Sequence, residues 1–182
     1  MSRPEYAIKQ ALGGNTIYGG AGEDTIYGSI GEDTVYGGRG NDTFYLNAGD
    51  ANDIIDGGDG TVDIIVLNGS SETFLLDGSH ISNIEIIDMD SATDAKNQVK
   101  SDNISGSGSQ TLVFTDRNND DGVDGELNLS GLGFSKSADE NDVVFDSKAE
   151  GPSGTGLTGT FHKYTSGALE ICIEDGIDIV GL

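Results

Sequence analysis

Acidic side chains recur every nine residues near the N-terminus, each at the end of a glycine-rich hexad. Residues 19–45 read GGAGEDTIY, GSIGEDTVY and GGRGNDTFY, which places Asp24, Asp33 and Asp42 at the sixth position of consecutive units. Glycine reaches left-handed backbone angles without strain, so each hexad can bend and turn its carbonyl groups inward beside the aspartate. Such a set of carboxylate and carbonyl oxygens suits the hard cation Ca²⁺, which takes about six to eight oxygen ligands.

One glycine-rich turn supplies only about half of these oxygens, so a complete site needs two turns stacked on one another. The predicted metal ligands are the carboxylate or amide side chains at the sixth position and the backbone carbonyls of the turns. These residues are Asn15, Gly19, Ala21, Gly22, Asp24, Gly28, Ile30, Gly31, Asp33, Gly37, Arg39, Gly40, Asp42, Asp53, Asp59 and Asp63. Calcium is the expected partner because acidic residues recur at these positions.

The last three residues of each unit, Thr-apolar-Tyr, predict a short strand. Side chains alternate between the two faces of a strand, so a buried central residue leaves both neighbours outside. The predicted core residues are Ile26, Val35 and Phe44. Because nine residues make half a coil, successive strands lie on opposite sides of the structure. We therefore expect Asp24 to neighbour Asp42 on one edge and Asp33 to lie on the opposite edge.

Tyrosines occupy the ninth, outward position of four units. Alternation predicts that Tyr18 pairs with Tyr36 on one face and that Tyr27 pairs with Tyr45 on the other. Cross-strand aromatic pairs contribute roughly 0.2–1 kcal/mol each to a sheet, so a structural role is the favoured interpretation. The alternative is an aromatic platform for a sugar ring or a partner protein.

The repeats continue in both directions with less regularity. Residues 10–18 keep the register with an asparagine at the sixth position, and residues 48–56 and 57–66 continue it after short insertions. Six units at two per coil predict a calcium-bound parallel β-roll of about three coils over residues 10–67. Residues 1–9 form an N-terminal lead-in.

Residues 68–182 combine short apolar runs with clusters of Gly, Asn, Asp and Ser, which predicts a β-rich region that caps the roll. The fold class is therefore all-β, although Ser91–Val99 could hold one or two helical turns. The predicted strands are Thr73–Leu76, Ile84–Asp88, Gln110–Thr115, Glu126–Leu129, Val143–Phe145, Phe161–Tyr164, Leu169–Glu174 and Ile177–Val180.

The charge of the chain excludes several classes of partner. The 182 residues carry 32 acidic against 9 basic side chains, a net charge of −23, which disfavours nucleic acid and anionic membrane surfaces. High charge with modest hydrophobicity is typical of a chain that needs a ligand to fold. No segment approaches the roughly 20 apolar residues of a membrane span. Cys172 is the single cysteine, so no internal disulfide is expected. The N-terminus does not resemble a cleavable signal peptide, and we expect a fragment of a longer protein.

The sequence contains no recognisable catalytic signature. His80 and His162 are its only histidines, neither lies in an H-E-x-x-H pattern, and no G-x-S-x-G elbow is found. We therefore expect no enzymatic activity. The acidic stretch at residues 116–126 resembles an EF-hand loop, but its glycine comes one position late. A solvated acidic turn is favoured there, and a separate calcium site is the alternative.

The repeats over residues 10–67 resemble the calcium-binding β-rolls of repeats-in-toxin (RTX) proteins. HISNIEIIDM, at residues 80–89, is similar to the segment that closes the roll in giant bacterial adhesins exported by type I secretion. Residues 164–182 resemble the C-terminal tails of those adhesins. The resemblance implies a secreted or cell-surface module whose last residues carry an uncleaved export signal. Its expected partners are calcium ions, the type I secretion apparatus and the remainder of a larger adhesin chain.

Two other functions remain open from the sequence. One is a carbohydrate-binding accessory module, although Arg39 is the only basic residue between residues 10 and 67, which disfavours an acidic polysaccharide. The other is the C-terminal tail of a secreted RTX lipase or metalloprotease.

Overall fold

The structure is a computed structural model. It describes residues 7–9, 13–46, 52–67, 73–75, 80–89, 98–100, 112–115, 126–128, 135–136, 143–145, 159–166, 169–174 and 177–180. Within these ranges every regular element is a β-strand, which confirms the all-β prediction. None of the described elements is a helix long and apolar enough to cross a membrane.

Eighteen strands follow one another within the described residues. They are β1 (Ala7–Lys9), β2 (Thr16–Ala21), β3 (Thr25–Tyr27), β4 (Thr34–Arg39), β5 (Thr43–Leu46), β6 (Ile54–Asp59), β7 (Ile64–Leu67), β8 (Thr73–Leu75), β9 (Ile81–Ser82), β10 (Ile86–Asp88), β11 (Gln98–Lys100), β12 (Leu112–Thr115), β13 (Glu126–Asn128), β14 (Ser135–Lys136), β15 (Val143–Phe145), β16 (Gly159–Ser166), β17 (Leu169–Glu174) and β18 (Asp178–Val180).

The repeats form a parallel β-roll whose two sides belong to two different sheets. The long sheet has the order β1-β3-β5-β7-β10-β12-β17-β16-β14, with β15 also on β16, and the short sheet has the order β2-β4-β6-β9. The chain alternates between these sheets from β2 to β7. Ile17 pairs with Val35 in the short sheet, and Ile26 pairs with Phe44 in the long sheet. This register confirms that successive units lie on opposite sides and that every second unit stacks.

The core of the roll consists of inward-facing apolar side chains, one from each of β2, β3, β4 and β6 and two from each of β5 and β7. Ile26, Val35 and Phe44 are each at most 2% exposed, as the alternation predicts, while their threonine and tyrosine neighbours face outward or are half-buried. Full burial of a side chain of this size contributes roughly 1.5–3 kcal/mol. The same apolar cluster continues through Ile87 to Ile177, so the roll and the C-terminal region share one core.

The parallel ladders run on past Leu67, the predicted end of the roll. Strand β10 pairs with β7, β12 pairs with β10, and β17 pairs with β12, all in parallel. The C-terminal sheet, β8-β11-β13-β18, is parallel as well. Stacking ends where β16 runs antiparallel to β17 and carries β14 and β15 on its other side. The division into roll and cap remains a prediction.

The strand predictions for the C-terminal region hold to different extents. The described strands β15 and β17 have the predicted bounds, and β16 is four residues longer than Phe161–Tyr164. Gln98–Lys100 forms a strand at the end of the segment in which a helical turn was an alternative. Residues 91–97 and the acidic loop at 116–125 lie outside the described residues.

Candidate metal centre

The turns of the roll lie along two edges. The glycine edge comprises turns 19–24, 37–42, 57–63 and 83–85, which lead from the short sheet to the long sheet. The serine edge contains the turns that lead back to the short sheet, represented by residues 13–15, 28–33 and 52–53. The two edges share the nonapeptide pattern, and their carboxylates have different surroundings.

Carboxylates on the glycine edge form a continuous ladder from coil to coil. The backbone N–H of Asp24 donates to Asp42 Oδ1 at 2.8 Å, and that of Asp42 donates to Asp63 Oδ1 at 2.7 Å. The N–H of Asp63 then donates to Glu85 Oε2 at 2.7 Å. All four side chains are buried. One oxygen of Asp42, Asp63 and Glu85 therefore holds the backbone of the preceding turn in register.

The second oxygen of these aspartates faces a gap lined by carbonyl groups. Oδ2 of Asp24 and Oδ2 of Asp42 are fully buried and have no hydrogen-bond partner in the described part of the chain. A Cβ atom placed on Gly19 would lie 2.8 Å from Asp24 Oδ2 and 2.5 Å from the Gly37 carbonyl oxygen. One coil later, a Cβ atom placed on Gly37 would meet Asp42 Oδ2 and the Gly57 carbonyl oxygen in the same way. Only glycine leaves this gap open.

The electrostatics of the glycine edge favour a bound cation. Burial raises the pKa of Asp42 from 3.8 to about 6; the Asp24 backbone N–H opposes the shift, and the Asp24 and Glu23 carboxylates add to it. Burial likewise raises the pKa of Asp63 to about 6, opposed by the Asp42 backbone N–H and assisted by neighbouring carboxylates, Glu85 first. An unpaired carboxylate in such a site is unfavourable, and a hard cation coordinated by its free oxygen relieves the penalty. The donor set therefore fits Ca²⁺.

Backbone carbonyls are essential to this fit. Among the described residues no three His, Cys, Asp or Glu side chains converge on one point. A cation between two turns would therefore combine a carboxylate such as Asp42 with a carbonyl oxygen of the next turn, that of Gly57. Each gap is thus lined by groups from two stacked turns, and the ligand set remains a prediction.

Two residues of the glycine edge were missed by the sequence analysis. Glu85 occupies the place of the repeat aspartate in the ladder. Asn83 is the one described non-glycine residue with a positive φ, 52°, and its carbonyl oxygen lies beside Gly57 as that of Gly37 lies beside Gly19. Its side-chain Nδ2 donates to Asp56 Oδ1 at 2.7 Å. The available signal was the spacing: Glu85 lies two residues before Ile87, as Asp24 lies two residues before Ile26.

On the serine edge the aspartate ladder is present as well. The backbone N–H of Asn15 donates to Asp33 Oδ1 at 2.7 Å, and that of Asp33 donates to Asp53 Oδ1 at 2.9 Å. At the second position of the nonapeptide the turns 19–24, 37–42 and 57–63 of the glycine edge have a glycine, whereas turn 28–33 has Ser29. Its hydroxyl donates to Asp33 Oδ2 at 2.9 Å, and its backbone N–H approaches the same oxygen at 3.3 Å.

The structure divides the predicted ligands between the two edges. Asp59 lies on the glycine edge, but its side chain is 84% exposed and forms an ion pair of 3.7 Å with Arg39, so both side chains point away from the gap. Ile30, on the serine edge, is also exposed. Glycine-edge residues are Gly19, Ala21, Gly22, Asp24, Gly37, Arg39, Gly40, Asp42, Asp59 and Asp63; serine-edge residues are Asn15, Gly28, Ile30, Gly31, Asp33 and Asp53.

The outward tyrosines form the two predicted stacks. The ring centroids of Tyr18 and Tyr36 are 5.0 Å apart with an interplanar angle of 10°. Those of Tyr27 and Tyr45 are 4.8 Å apart at 13°. Tyr18 is 69% exposed and ends its stack, whereas Tyr27 and Tyr45 are half-buried.

The roll and its stacked aspartates define a calcium-binding repeat module of the parallel β-roll class. The family model of the RTX calcium-binding nonapeptide repeat matches four copies in this chain, at residues 11–44 and 45–61. The chain therefore contains an RTX calcium-binding module, and RTX repeats are typical of secreted proteins. No curated protein and no solved structure matches the chain.

Proposed function

We propose that this chain is a non-enzymatic module that folds when it binds Ca²⁺ outside the cell and thereby supports type I secretion of a larger adhesin. The observation that supports calcium-driven folding is the pair of buried oxygens, Asp24 Oδ2 and Asp42 Oδ2, that have no hydrogen-bond partner among the described residues. Folding without a cation would bury these charges uncompensated.

Calcium concentration then acts as the switch. Extracellular calcium modules bind with a Kd of about 10⁻⁴–10⁻³ M. At about 10 mM calcium, each ion bound only by the folded chain stabilises it by about 1.4–2.7 kcal/mol, and at submicromolar calcium by almost nothing. Several such ions are decisive for a domain whose whole stability is about 5–15 kcal/mol.

Circular dichroism of the full chain in EGTA, followed by calcium, tests this part of the proposal. We expect little β signal in EGTA and recovery of the β spectrum in millimolar calcium. Magnesium at the same concentration is the control for ionic strength, because Mg²⁺ demands a smaller octahedral shell than these turns offer. Equal β content in EGTA and in calcium would contradict calcium-driven folding.

The role in export rests on the C-terminal residues. Residues 164–182 resemble the tails of exported adhesins, and an unfolded, calcium-free chain with a charge of −23 suits passage through a narrow channel. The chain would leave C-terminus first and fold at the exit, which opposes backsliding. This C-terminal segment includes β17, which lies between β12 and β16 in the long sheet.

Secretion by a cell that carries the cognate transporter tests the export role. Deletion of residues 168–182 should abolish secretion. The matched control is the full chain with Asp42→Ala and Asp63→Ala, which should still be exported but should require more calcium to fold. Normal secretion of the deleted chain would place the signal elsewhere.

The exposed stack of Tyr18 and Tyr36 favours a second candidate function, a carbohydrate-binding module. The uncovered ring of Tyr18 offers a flat aromatic surface on the outer side of the short sheet, and Arg39 is the only basic residue of the roll, so the sugar would be neutral. Retention on a neutral polysaccharide that is lost in Tyr18→Ala but kept in Tyr27→Ala would support this function.

A further inference from the structure

The serine-edge turn at residues 28–33 is built differently from the turns of the glycine edge. In the second position of the nonapeptide, Gly20, Gly38 and Gly58 have φ angles of +112°, +113° and +96°. Ser29 occupies this position in turn 28–33 and is not among the described residues with positive φ. The path of the backbone, and with it the direction of the carbonyl groups, therefore differs at this turn.

The lengths of the strands show the same difference. On the glycine edge the strands β2, β4 and β6 each have six residues and continue through the two glycines of the turn. Strand β3 has only three residues and ends at Tyr27, before Gly28 and Ser29. The carbonyl-lined gap of the glycine edge requires that extended double glycine, because the first glycine faces the carboxylate directly.

Hydrogen bonds within the protein satisfy the Asp33 carboxylate. An ionised carboxylate offers about four lone-pair sites. Asp33 Oδ1 accepts from the backbone N–H of Asn15 at 2.7 Å and from Asn15 Nδ2 at 3.3 Å. Asp33 Oδ2 accepts from the Ser29 hydroxyl at 2.9 Å and from the Ser29 N–H at 3.3 Å. On the glycine edge the corresponding Oδ2 atoms of Asp24 and Asp42 have no such donor among the described residues.

We propose that turn 28–33 holds no calcium ion and that the hydroxyl of Ser29 takes the place of the cation at Asp33. The donor set of this turn does not fit Ca²⁺, because the outer oxygen of Asp33 is already bonded and the second-position backbone is not left-handed. A cation would have to displace the Ser29 hydroxyl and rebuild the turn. Ser29 thus determines whether turn 28–33 contributes an ion to the roll.

This inference rests on the proposed calcium-binding function and excludes turn 28–33 from the turns that bind its ions. It removes Gly28, Ile30, Gly31 and Asp33 from the set of calcium ligands that the nonapeptide pattern predicts. In the folded roll, turn 28–33 is then held by hydrogen bonds within the protein.

Counting bound ions in isosteric variants of the full chain is the first test. In a calcium titration measured by isothermal calorimetry, Asp42→Asn should bind one ion fewer than the parent chain. The charge on Oδ2 is gone in this variant, while Oδ1 still accepts from the Asp24 N–H. Asp33→Asn should bind the same number of ions as the parent chain with an unchanged calcium midpoint. Loss of an ion in Asp33→Asn would overturn the proposal.

Restoring the glycine is the second test. Ser29→Gly should free Asp33 Oδ2, allow the left-handed turn, and add one calcium ion to the stoichiometry. Ser135→Gly, at an exposed serine of β14, is the control for an added glycine. Ser29→Gly binding no further ion, in a chain that folds in calcium, would overturn the proposal. If the parent chain binds no calcium at all, the proposed function fails instead, so the two failures are distinct.

Discussion

The glycine edge and the serine edge are built from the same repeat pattern, but their aspartates have different hydrogen-bond surroundings. On the glycine edge Asp42 accepts from the neighbouring Asp24 N–H with one oxygen, and its other oxygen, like Oδ2 of Asp24, has no hydrogen-bond partner in the described part of the chain. On the serine edge Asp33 has hydrogen-bond donors at both oxygens. The comparison separates two roles of the sixth-position aspartate: the structural acceptor seen at Asp42 and Asp33, and the cation ligand that we propose for the glycine edge. A single serine hydroxyl removes the second role and preserves the first.

A charged side chain in the shared core should unfold the turns of both edges. We expect it to have the largest effect of the substitutions considered. Val35 is 2% exposed and packs between the sheets, so Val35→Asp buries a carboxylate with no partner, at a free-energy cost of several kcal/mol. We expect no β spectrum by circular dichroism at any calcium concentration. Ile54→Asp is the control, since Ile54 is 44% exposed on a neighbouring strand. A normal calcium response of Val35→Asp would refute this description of the core.

Removal of the whole Asp42 side chain should affect the glycine edge selectively. Asp42→Ala should lose one ion, worth about 1.4–2.7 kcal/mol at about 10 mM calcium, and leaves the buried Asp24 N–H unpaired, which costs about 1–3 kcal/mol. The calcium midpoint of folding, followed by circular dichroism, should rise. Asp33→Ala should chiefly lower the stability of the serine edge and move the midpoint less. A shift of the same size in Asp139→Ala, outside the repeats, would show that net charge controls folding.

Acid should partly replace calcium at the glycine edge. The folded-state pKa of Asp42 and of Asp63 is about 6, above the ordinary 3.8, so the folded chain binds protons more tightly than the unfolded chain. These two carboxyl groups should therefore stabilise the folded, calcium-free chain most below about pH 4. Their contribution is lost as the pH rises through about 6. Circular dichroism in EGTA should show more β structure at pH 4.5 than at pH 7.5, and the Asp42→Asn, Asp63→Asn double variant should show a smaller difference. More β structure at the higher pH would contradict the prediction.

Glu85 extends the ladder of the glycine edge beyond the repeats, and its substitution should have a moderate effect. Glu85→Ala leaves the buried N–H of Asp63 without its acceptor and should lower the free energy of unfolding by about 1–3 kcal/mol in calcium, measured by urea denaturation. Glu85→Gln keeps an acceptor and should remain close to the parent chain. Equal losses in both variants would show that the charge of Glu85 is needed, as at Asp42.

The ion pair on the outside of the glycine edge should matter least. Arg39 and Asp59 are 3.7 Å apart and their side chains are 80% and 84% exposed, so water and salt screen their attraction. Arg39→Ala should change the free energy of unfolding by less than about 1 kcal/mol and leave the calcium midpoint in place. A large shift would mean that the side chain, and not only the backbone of residue 39, takes part in the turn.

Much of the roll could be predicted because its information is local and periodic. The alternation of Ile26 and Phe44 with Thr and Tyr determines which face is buried, and the nine-residue period determines which strands stack. The same reasoning predicted the stacks of Tyr18 on Tyr36 and Tyr27 on Tyr45. It did not predict that Gln98–Lys100 pairs with Thr73–Leu75, because that pairing lies outside the repeat period.

By itself the sequence determined the period of the roll, its buried face and the placement of Asp24 beside Asp42, because each follows from the spacing of neighbouring residues. Only the tertiary structure decided what each carboxylate oxygen contacts. Asp33 meets Asn15, eighteen residues away, and Asp63 meets Glu85, twenty-two residues away, once the coils are in register. Hydrogen bonds have a short range and a preferred direction, so the backbone path at Ser29 distinguishes a bonded carboxylate from one that is open to a cation.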